Sequence, residues 1–148
     1  MTGIVFYHLE NSPLERALPA LLEKVVERGW KAVVEVGGAE RLEALDTTLW
    51  TYADDAFLPH GLASEDQAAQ QPIVLTNGED NPNAANVRFF VDGATPKSGG
   101  GYERLVFMFN GHDTDAVTRA RAAWRALGEA NELTYWQQDE NGRWSKKG

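Results

Sequence analysis

The first third of the chain alternates short apolar runs with amphipathic segments. Residues 4 to 9 and residues 31 to 36 are runs of mostly apolar side chains, which are typical of buried strands. Between them, apolar residues recur at helical spacing from residue 14 to 26, and Gly29 follows as a helix end. A second helix is expected from residue 39 to about 51. This strand and helix order predicts a largely parallel sheet with helices on both faces.

The rest of the chain continues with strands and a helix and ends in a hairpin pattern. Three more apolar runs predict strands, at residues 72 to 76, 87 to 91 and 105 to 110. A last helix is expected from about residue 114 to 128, with Asp113 as its cap. Residues 132 to 138 and 142 to 146 flank Asn141-Gly142, a strong signal for a hairpin. The pattern therefore predicts an α/β domain that finishes in two paired strands.

Length and composition place all of the chain, residues 1–148, in a single domain. A chain of this size buries roughly two thirds of its unfolded surface, and 43% hydrophobic residues supply a core for it. The sequence contains no cysteine, which fits a reducing compartment. No segment has the ~20 consecutive apolar residues of a membrane span. Cytoplasmic residence is therefore expected.

Charge is distributed unevenly along the chain. The net charge is -8, and the six acidic and six basic residues after position 111 balance, so residues 1 to 111 carry all of it. Such acidity opposes nucleic-acid binding over the whole surface. By this measure only residues 112 to 148 could form a basic surface. An acidic ligand is expected there.

The glycines do not form a phosphate-binding pattern. The first strand runs into Glu10-Asn11-Ser12-Pro13, with no glycine that would let a backbone approach a pyrophosphate. Only Gly37-Gly38 and Asn110-Gly111 lie suitably after a strand. The three histidines, His8, His60 and His112, are scattered along the chain and form no histidine pair at the spacing of helical metal sites. We therefore expect no catalytic residue, metal or cofactor. The alternative function is that of a small nucleotide-binding enzyme of doubly wound fold.

One cluster of candidate binding residues combines aromatic side chains with a proline. It lies at the end of the second helix and in the loop after it, and comprises Trp50, Phe57, Leu58, Pro59 and His60. These side chains either close the core or form an exposed aromatic patch that would mark an interface. The sequence leaves both interpretations open.

A second cluster lies on the last predicted helix. Val117, Arg121 and Arg125 follow one another at four-residue steps, and Trp124 stands three residues after Arg121. Guanidinium groups beside an aromatic ring suit an acidic peptide that carries an apolar end. The alternative is a solvated helix face with Trp124 in the core.

Five short segments, in order along the chain, carry a family resemblance. They are residues 6 to 9 (Phe-Tyr-His-Leu), 45 to 50 (Leu-Asp-Thr-Thr-Leu-Trp), 57 to 60 (Phe-Leu-Pro-His), 72 to 75 (Pro-Ile-Val-Leu) and 119 to 125 (Arg-Ala-Arg-Ala-Ala-Trp-Arg). Together they resemble the chi subunit of bacterial DNA polymerase III holoenzyme. The second and third segments are the most specific part of the match.

The resemblance implies a non-catalytic accessory subunit with a Rossmann-like, three-layer α/β/α fold and a mixed, largely parallel sheet. Such a subunit links the clamp-loader assembly to single-stranded-DNA-binding protein by binding that protein's acidic C-terminal tail. On this basis Arg121 and Trp124 are the tail-binding arginine and aromatic residue, and Arg125 continues the basic stripe. Val117 is a departure, because the family often has lysine there.

The resemblance also implies a second partner. The cluster of Trp50 and residues 57 to 60 is expected to face psi, the subunit that ties chi to the clamp loader, or a replacement for it.

A third interpretation is direct binding of single-stranded DNA by tryptophan and arginine side chains. The overall acidity argues against it, so no strong direct nucleic-acid contact is expected.

Overall fold

The structure is a computed structural model that describes residues 3–10, 14–52, 58–78, 81–94, 102–128, 132–138 and 143–147. The α-helices in these ranges are α1 (Leu14–Glu27), α2 (Ala39–Thr51) and α3 (Thr114–Leu127), and Ala68–Gln70 form a short 3-10 helix. The strands are β1 (Gly3–Leu9), β2 (Ala32–Val36), β3 (Gly61–Leu62), β4 (Ile73–Thr76), β5 (Val87–Val91), β6 (Arg104–Asn110), β7 (Glu132–Gln138) and β8 (Trp144–Lys146). None of the helices in these ranges has the length and apolar character to cross a membrane.

Each helix and strand predicted from the apolar pattern is present, with ends that differ by one or two residues. Gly29, with φ +78°, lies just beyond α1 and adopts the left-handed conformation that commonly ends a helix. The pattern missed β3, because two residues are too few to show alternation.

The strands form one sheet in the order β3-β4-β2-β5-β6-β1-β7-β8. Neighbouring strands are parallel throughout, except that β8 runs antiparallel to β7. This confirms a mixed, largely parallel sheet with a C-terminal hairpin. Strand β1 lies between β6 and β7, so the two ends of the chain meet in the same half of the sheet.

The helices cover both faces of the sheet and give the three layers that were expected. Leu18 and Leu22 of α1 and Leu45 and Leu49 of α2 pack in one core cluster with side chains from the strands. Helix α3 packs in a separate cluster that includes Phe6 of β1. Side chains alternate between the faces of a strand. Phe6 therefore points toward α3, while its neighbour on β1, Tyr7, points toward α1.

A buried ion pair lies inside the sheet. Arg88 of β5 is only 4% exposed, and its Nε and Nη2 atoms donate to Glu35 Oε1 of β2 at 3.1 and 2.7 Å. Nη2 also donates to the Gly78 carbonyl oxygen at 2.6 Å, and Nη1 donates to the Tyr102 hydroxyl oxygen at 3.0 Å. The Arg88 guanidinium thus links β5 to the neighbouring strand β2, and it also holds Gly78, which precedes β5, and Tyr102, which precedes β6.

Two turns meet closely at the carboxyl end of the sheet. A Cβ atom on Gly37, which follows β2, would lie 2.2 Å from the backbone oxygen of Asp92, which follows β5. Asp92 and Gly93 both have positive φ angles, 49° and 100°. Asp92 also forms an ion pair with Arg41 at 3.2 Å. Gly37 is therefore required by close backbone packing.

Candidate partner-binding site

Helix α3 presents the residues that the sequence marks as a peptide-binding stripe. The residues that it buries against the sheet are small or aliphatic: Ala116, Ala120, Ala123 and Leu127. Arg121 and Arg125 are exposed on the outer side. Val117 and Trp124 are half-buried at the edge of the core cluster beneath the helix. The two guanidinium groups and the indole ring are therefore available on one helix.

Trp124 rests on two aromatic rings of the sheet. Its centroid lies 5.2 Å from that of Phe6 and 5.8 Å from that of Tyr135, both in edge-on geometry. Parallel pairing of β1 with β7 places Phe6 directly beside Tyr135. The indole is thus held rigidly while part of it remains open to solvent. Sequence reasoning missed Tyr135, because only the order of the strands shows that β7 lies beside β1.

A polar network continues from Tyr135 across the carboxyl end of β1. The Tyr135 hydroxyl lies 2.6 Å from His8 Nδ1, and His8 Nε2 lies 3.3 Å from Glu10 Oε1. Gln137 Nε2 donates to the same Glu10 oxygen at 2.7 Å. Burial raises the pKa of Tyr135, and the charge of Arg121 opposes that shift. The field of Arg121 therefore reaches the network.

His8 in this network is held in its neutral form. Burial lowers the pKa of the His8 imidazole below its ordinary value of 6.5; Glu10 opposes this shift, and His112 and Arg121 add to it. The unfolded chain therefore binds a proton at this position at a higher pH than the folded protein does. Stability contributed by neutral His8 is complete above the unfolded pKa and is lost as the pH falls through the folded pKa.

A His8→Gln variant tests this linkage. We expect the free energy of unfolding of the unmutated protein to fall relative to the variant as the pH is lowered from about 7.5 to about 5. Urea unfolding at a series of pH values measures the difference. A difference that stays constant over this range, or grows toward acid, would contradict the assignment.

The first candidate cluster is only partly a surface. Trp50 is 49% exposed, whereas Leu58 and His60 are 2% and 3% exposed. Pro59 is half-buried, and Phe57 lies outside the described residues. Leu58 and His60, which we expected to face a partner, therefore support the patch from within. Among the described residues of this cluster, the exposed surface consists of Trp50 with part of Pro59.

His60 explains how Trp50 is held at the surface. The two ring centroids are 4.1 Å apart at an interplanar angle of 38°. His60 Nδ1 lies 2.7 Å from the carbonyl oxygen of Leu58, and Nε2 lies 3.0 Å from Asp46 Oδ1. The imidazole is fixed on both sides and forms a platform under the indole. Because about half of the Trp50 side chain is exposed, this residue does not simply close the core.

The cavity where a doubly wound fold would bind a nucleotide contains a paired arginine and a capped helix end. About 620 Å³ of space lies at the carboxyl ends of β1, β5 and β6, where connections leave toward opposite faces. Arg41 in this cavity pairs with Glu15 and Asp92. The Asp113 carboxylate accepts hydrogen bonds from the backbone N–H groups of Asp115 and Ala116, and so occupies the α3 amides that would hold a phosphate. The cavity therefore disfavours a phosphate ligand.

Within the described ranges, no three histidine, aspartate or glutamate side chains come together in a way that could hold a metal ion.

Comparison with known proteins agrees with the family resemblance. The family model of the DNA polymerase III chi subunit, HolC, matches residues 1–133. The chain is 37% identical over 87 residues to the "Probable DNA polymerase III subunit chi" of Rickettsia prowazekii, an alignment that covers 59% of this chain and 53% of that protein. It is 34% identical over 86 residues to the "DNA polymerase III subunit chi" of Pseudomonas aeruginosa, covering 56% of this chain and 59% of that protein. The chain belongs to the family of the DNA polymerase III chi subunit.

Proposed function

We propose that the protein is a non-catalytic accessory subunit that binds the acidic C-terminal tail of single-stranded-DNA-binding protein on α3. The observation that carries this proposal is the pair of exposed arginines, Arg121 and Arg125, beside a half-buried Trp124 that rests on Phe6 and Tyr135. Arginine pairs well with carboxylates. The indole offers apolar surface to a terminal side chain of the peptide.

Electrostatics supports the same location. The net charge of -8 comes from residues 1 to 111, so α3 lies in the less acidic part of the sequence. The charge of Arg121 acts on His8 and Tyr135, and burial favours the neutral form of both, since it lowers the His8 pKa and raises the Tyr135 pKa. A peptide carboxylate would therefore meet the arginines without a strong competing cation or anion from His8 and Tyr135.

The second part of the proposal concerns the clamp loader. We assign Trp50 and Pro59 as the contact for psi or a replacement of psi. Trp50 is an exposed tryptophan on α2, and tryptophan is among the residues enriched in interface hot spots. Helices α2 and α3 pack on opposite faces of the sheet. The two partners would therefore bind without competing for one surface.

Binding of a synthetic acidic tail peptide with an apolar C-terminal residue tests the α3 site. We expect Arg121→Ala to weaken binding by about 1.5 to 3 kcal/mol, roughly ten- to a hundredfold, because a charge-assisted contact is lost. Raising the salt concentration should weaken binding in the unmutated protein as well. Val117→Lys should strengthen it slightly, because lysine can extend its ammonium group from a half-buried position to solvent. Isothermal titration calorimetry measures each affinity.

Two matched controls separate the site from general charge effects. Arg119→Ala removes the same charge from an exposed position of the same helix, but Arg119 lines the cavity at the carboxyl ends of the strands. Trp50→Ala removes the exposed indole of the other face. Both should leave peptide affinity almost unchanged. If a folded Arg121→Ala, Arg125→Ala double variant binds the peptide as well as the unmutated protein, the site is misplaced.

A further inference from the structure

A long groove runs between α1 and the strands on its side of the sheet. It consists of two adjoining cavities of about 430 Å³ each, which share Tyr7, Leu21 and Lys24. One cavity extends toward Trp30, between α1 and the strands β5 and β6. The other extends toward Trp136 and Trp144 of the C-terminal hairpin. We call this the α1 groove; it lies on the face of the sheet opposite Trp124.

Aromatic rings line the floor of the α1 groove. Tyr7 is paired with Trp136 in the β1–β7 register, and the β7–β8 register places Trp144 opposite Gln138. These residues lie at alternate positions along their strands, so they share one face of the sheet. The rings of Tyr7 and Trp144 are 5.0 Å apart in edge-on geometry. Each of these rings is half-buried, which leaves part of its surface open to a ligand.

Cationic side chains follow the rim of the α1 groove. Arg16 and Lys24 line it from α1, and Arg28 continues the row just after the helix. With Ala20, they occupy every fourth position, so the row extends about 18 Å along one helix face. No carboxylate in the described part of the chain forms an ion pair with these three cations. Glu27 is the single acidic residue among the described lining residues.

The basic row ends at Trp30, whose ring contacts two arginines. The guanidinium carbon of Arg28 lies 4.7 Å from the centre of the Trp30 ring, and that of Arg104 lies 5.6 Å from it. The four cations of the groove, Arg16, Lys24, Arg28 and Arg104, all lie within residues 1 to 111. The expectation that only residues 112 to 148 could form a basic surface is therefore wrong, because folding gathers cations that are dispersed along an acidic sequence.

We infer that the α1 groove binds single-stranded DNA. The groove has a row of cations beside a row of partly exposed rings, which matches a strand with phosphates along one edge and bases along the other. An acidic peptide would match the cations but would offer no succession of flat rings. A duplex would keep its bases away from Tyr7, Trp136 and Trp144. The chain belongs to a DNA polymerase subunit family, so DNA is the strand that we specify.

Two of the rings lie outside the part of the chain that matches the family model. The family model ends at residue 133, whereas Trp136 and Trp144 lie beyond it. The net charge of -8 opposes the approach of DNA, so the contact is weak and strongly dependent on salt. Because the α1 groove and α3 lie on opposite faces, the inference does not depend on the proposed tail site.

Anisotropy of a fluorescently labelled oligo-dT of about 15 nucleotides, at about 50 mM salt, tests the inference. We expect Lys24→Glu to weaken binding by about tenfold or more. The matched control is Arg119→Glu, which makes the same change of charge at an exposed position near the other face, and it should have less than about a threefold effect. Trp136→Leu should also weaken binding roughly ten- to a hundredfold through lost stacking. Arg121→Ala should bind the oligonucleotide like the unmutated protein.

Several results would overturn the inference. One is equal loss of affinity in Lys24→Glu and Arg119→Glu, which would reduce the effect to net charge. Another is equal affinity for the oligonucleotide and for a duplex of the same length, or no binding at all as the salt is lowered to about 20 mM. A third is displacement of the oligonucleotide by an acidic peptide that is added at the same concentration of negative charges, which would show that the groove is a peptide site. If Trp136→Leu fails to fold, the two charge reversals, which lie at exposed positions, still decide the matter.

Discussion

Replacing Arg88 with methionine is expected to lower the free energy of unfolding by about 3 to 5 kcal/mol, because the Glu35 carboxylate would remain buried without its partner. The Glu35 side chain is only 15% exposed and receives two hydrogen bonds from the guanidinium. The Gly78 carbonyl and the Tyr102 hydroxyl would each lose a donor as well. Such a loss is a large part of the stability of a single domain.

A double variant separates the buried charge from the loss of packing. Arg88→Met combined with Glu35→Leu removes both members of the pair and fills their space with apolar atoms. We expect it to recover at least half of the loss, since an apolar replacement of a buried ion pair is often neutral. Urea unfolding of the two single variants and the double variant gives the coupling energy. Additive losses would show that Glu35 and Arg88 do not depend on each other.

Changing Gly37 to serine is expected to destabilise the protein by about 2 to 3 kcal/mol, because the new Cβ atom overlaps a backbone oxygen. That atom would lie 2.2 Å from the Asp92 oxygen and 3.0 Å from the Gly93 carbonyl carbon. Neither neighbour can rotate away as a flexible side chain would. Relief requires the Asp92 turn to move, which would disturb its ion pair with Arg41.

The neighbouring glycine provides a matched control. A Cβ atom on Gly38 has nothing within 4 Å, and Gly38 is the N-cap of α2 in an extended conformation without a side-chain cap. Gly38→Ser should change the stability by less than about 0.5 kcal/mol, or raise it, because serine is a favourable cap. Thermal unfolding compares the two variants. Equal effects of Gly37→Ser and Gly38→Ser would show that the close approach of the two turns is not what constrains Gly37.

The two proposed ligand sites follow from the alternation of a single strand. Phe6 and Tyr7 are adjacent in β1, yet Phe6 supports Trp124 beneath α3 and Tyr7 lies in the α1 groove. An acidic tail on one face and a DNA strand on the other could therefore be bound at the same time. An accessory subunit with this arrangement would hold single-stranded-DNA-binding protein and the strand near each other.

The sequence by itself determined the α-helices, the strands other than β3, and the type of fold. Their apolar periodicity is a local property, set by spacing of 3.6 or 2 residues, so it can be seen without knowing what each element packs against. The stripe of Arg121, Trp124 and Arg125 was found in the same way, because its members share one helix. The family resemblance also rested on short contiguous segments.

The order of the strands, and with it the surroundings of each site, was decided only by the tertiary structure. Pairing of β1 with β7 joins segments from the two ends of the chain, and no local pattern indicates it. That pairing brings Tyr135 beside Phe6, where it contacts both His8 and Trp124, and it places Trp136 beside Tyr7. The location of basic surfaces likewise could not be predicted from the sequence. The count along the chain located a basic surface only after residue 111, whereas α1 and β6 bring scattered cations together, because side-chain neighbours in a folded sheet are set by non-local packing.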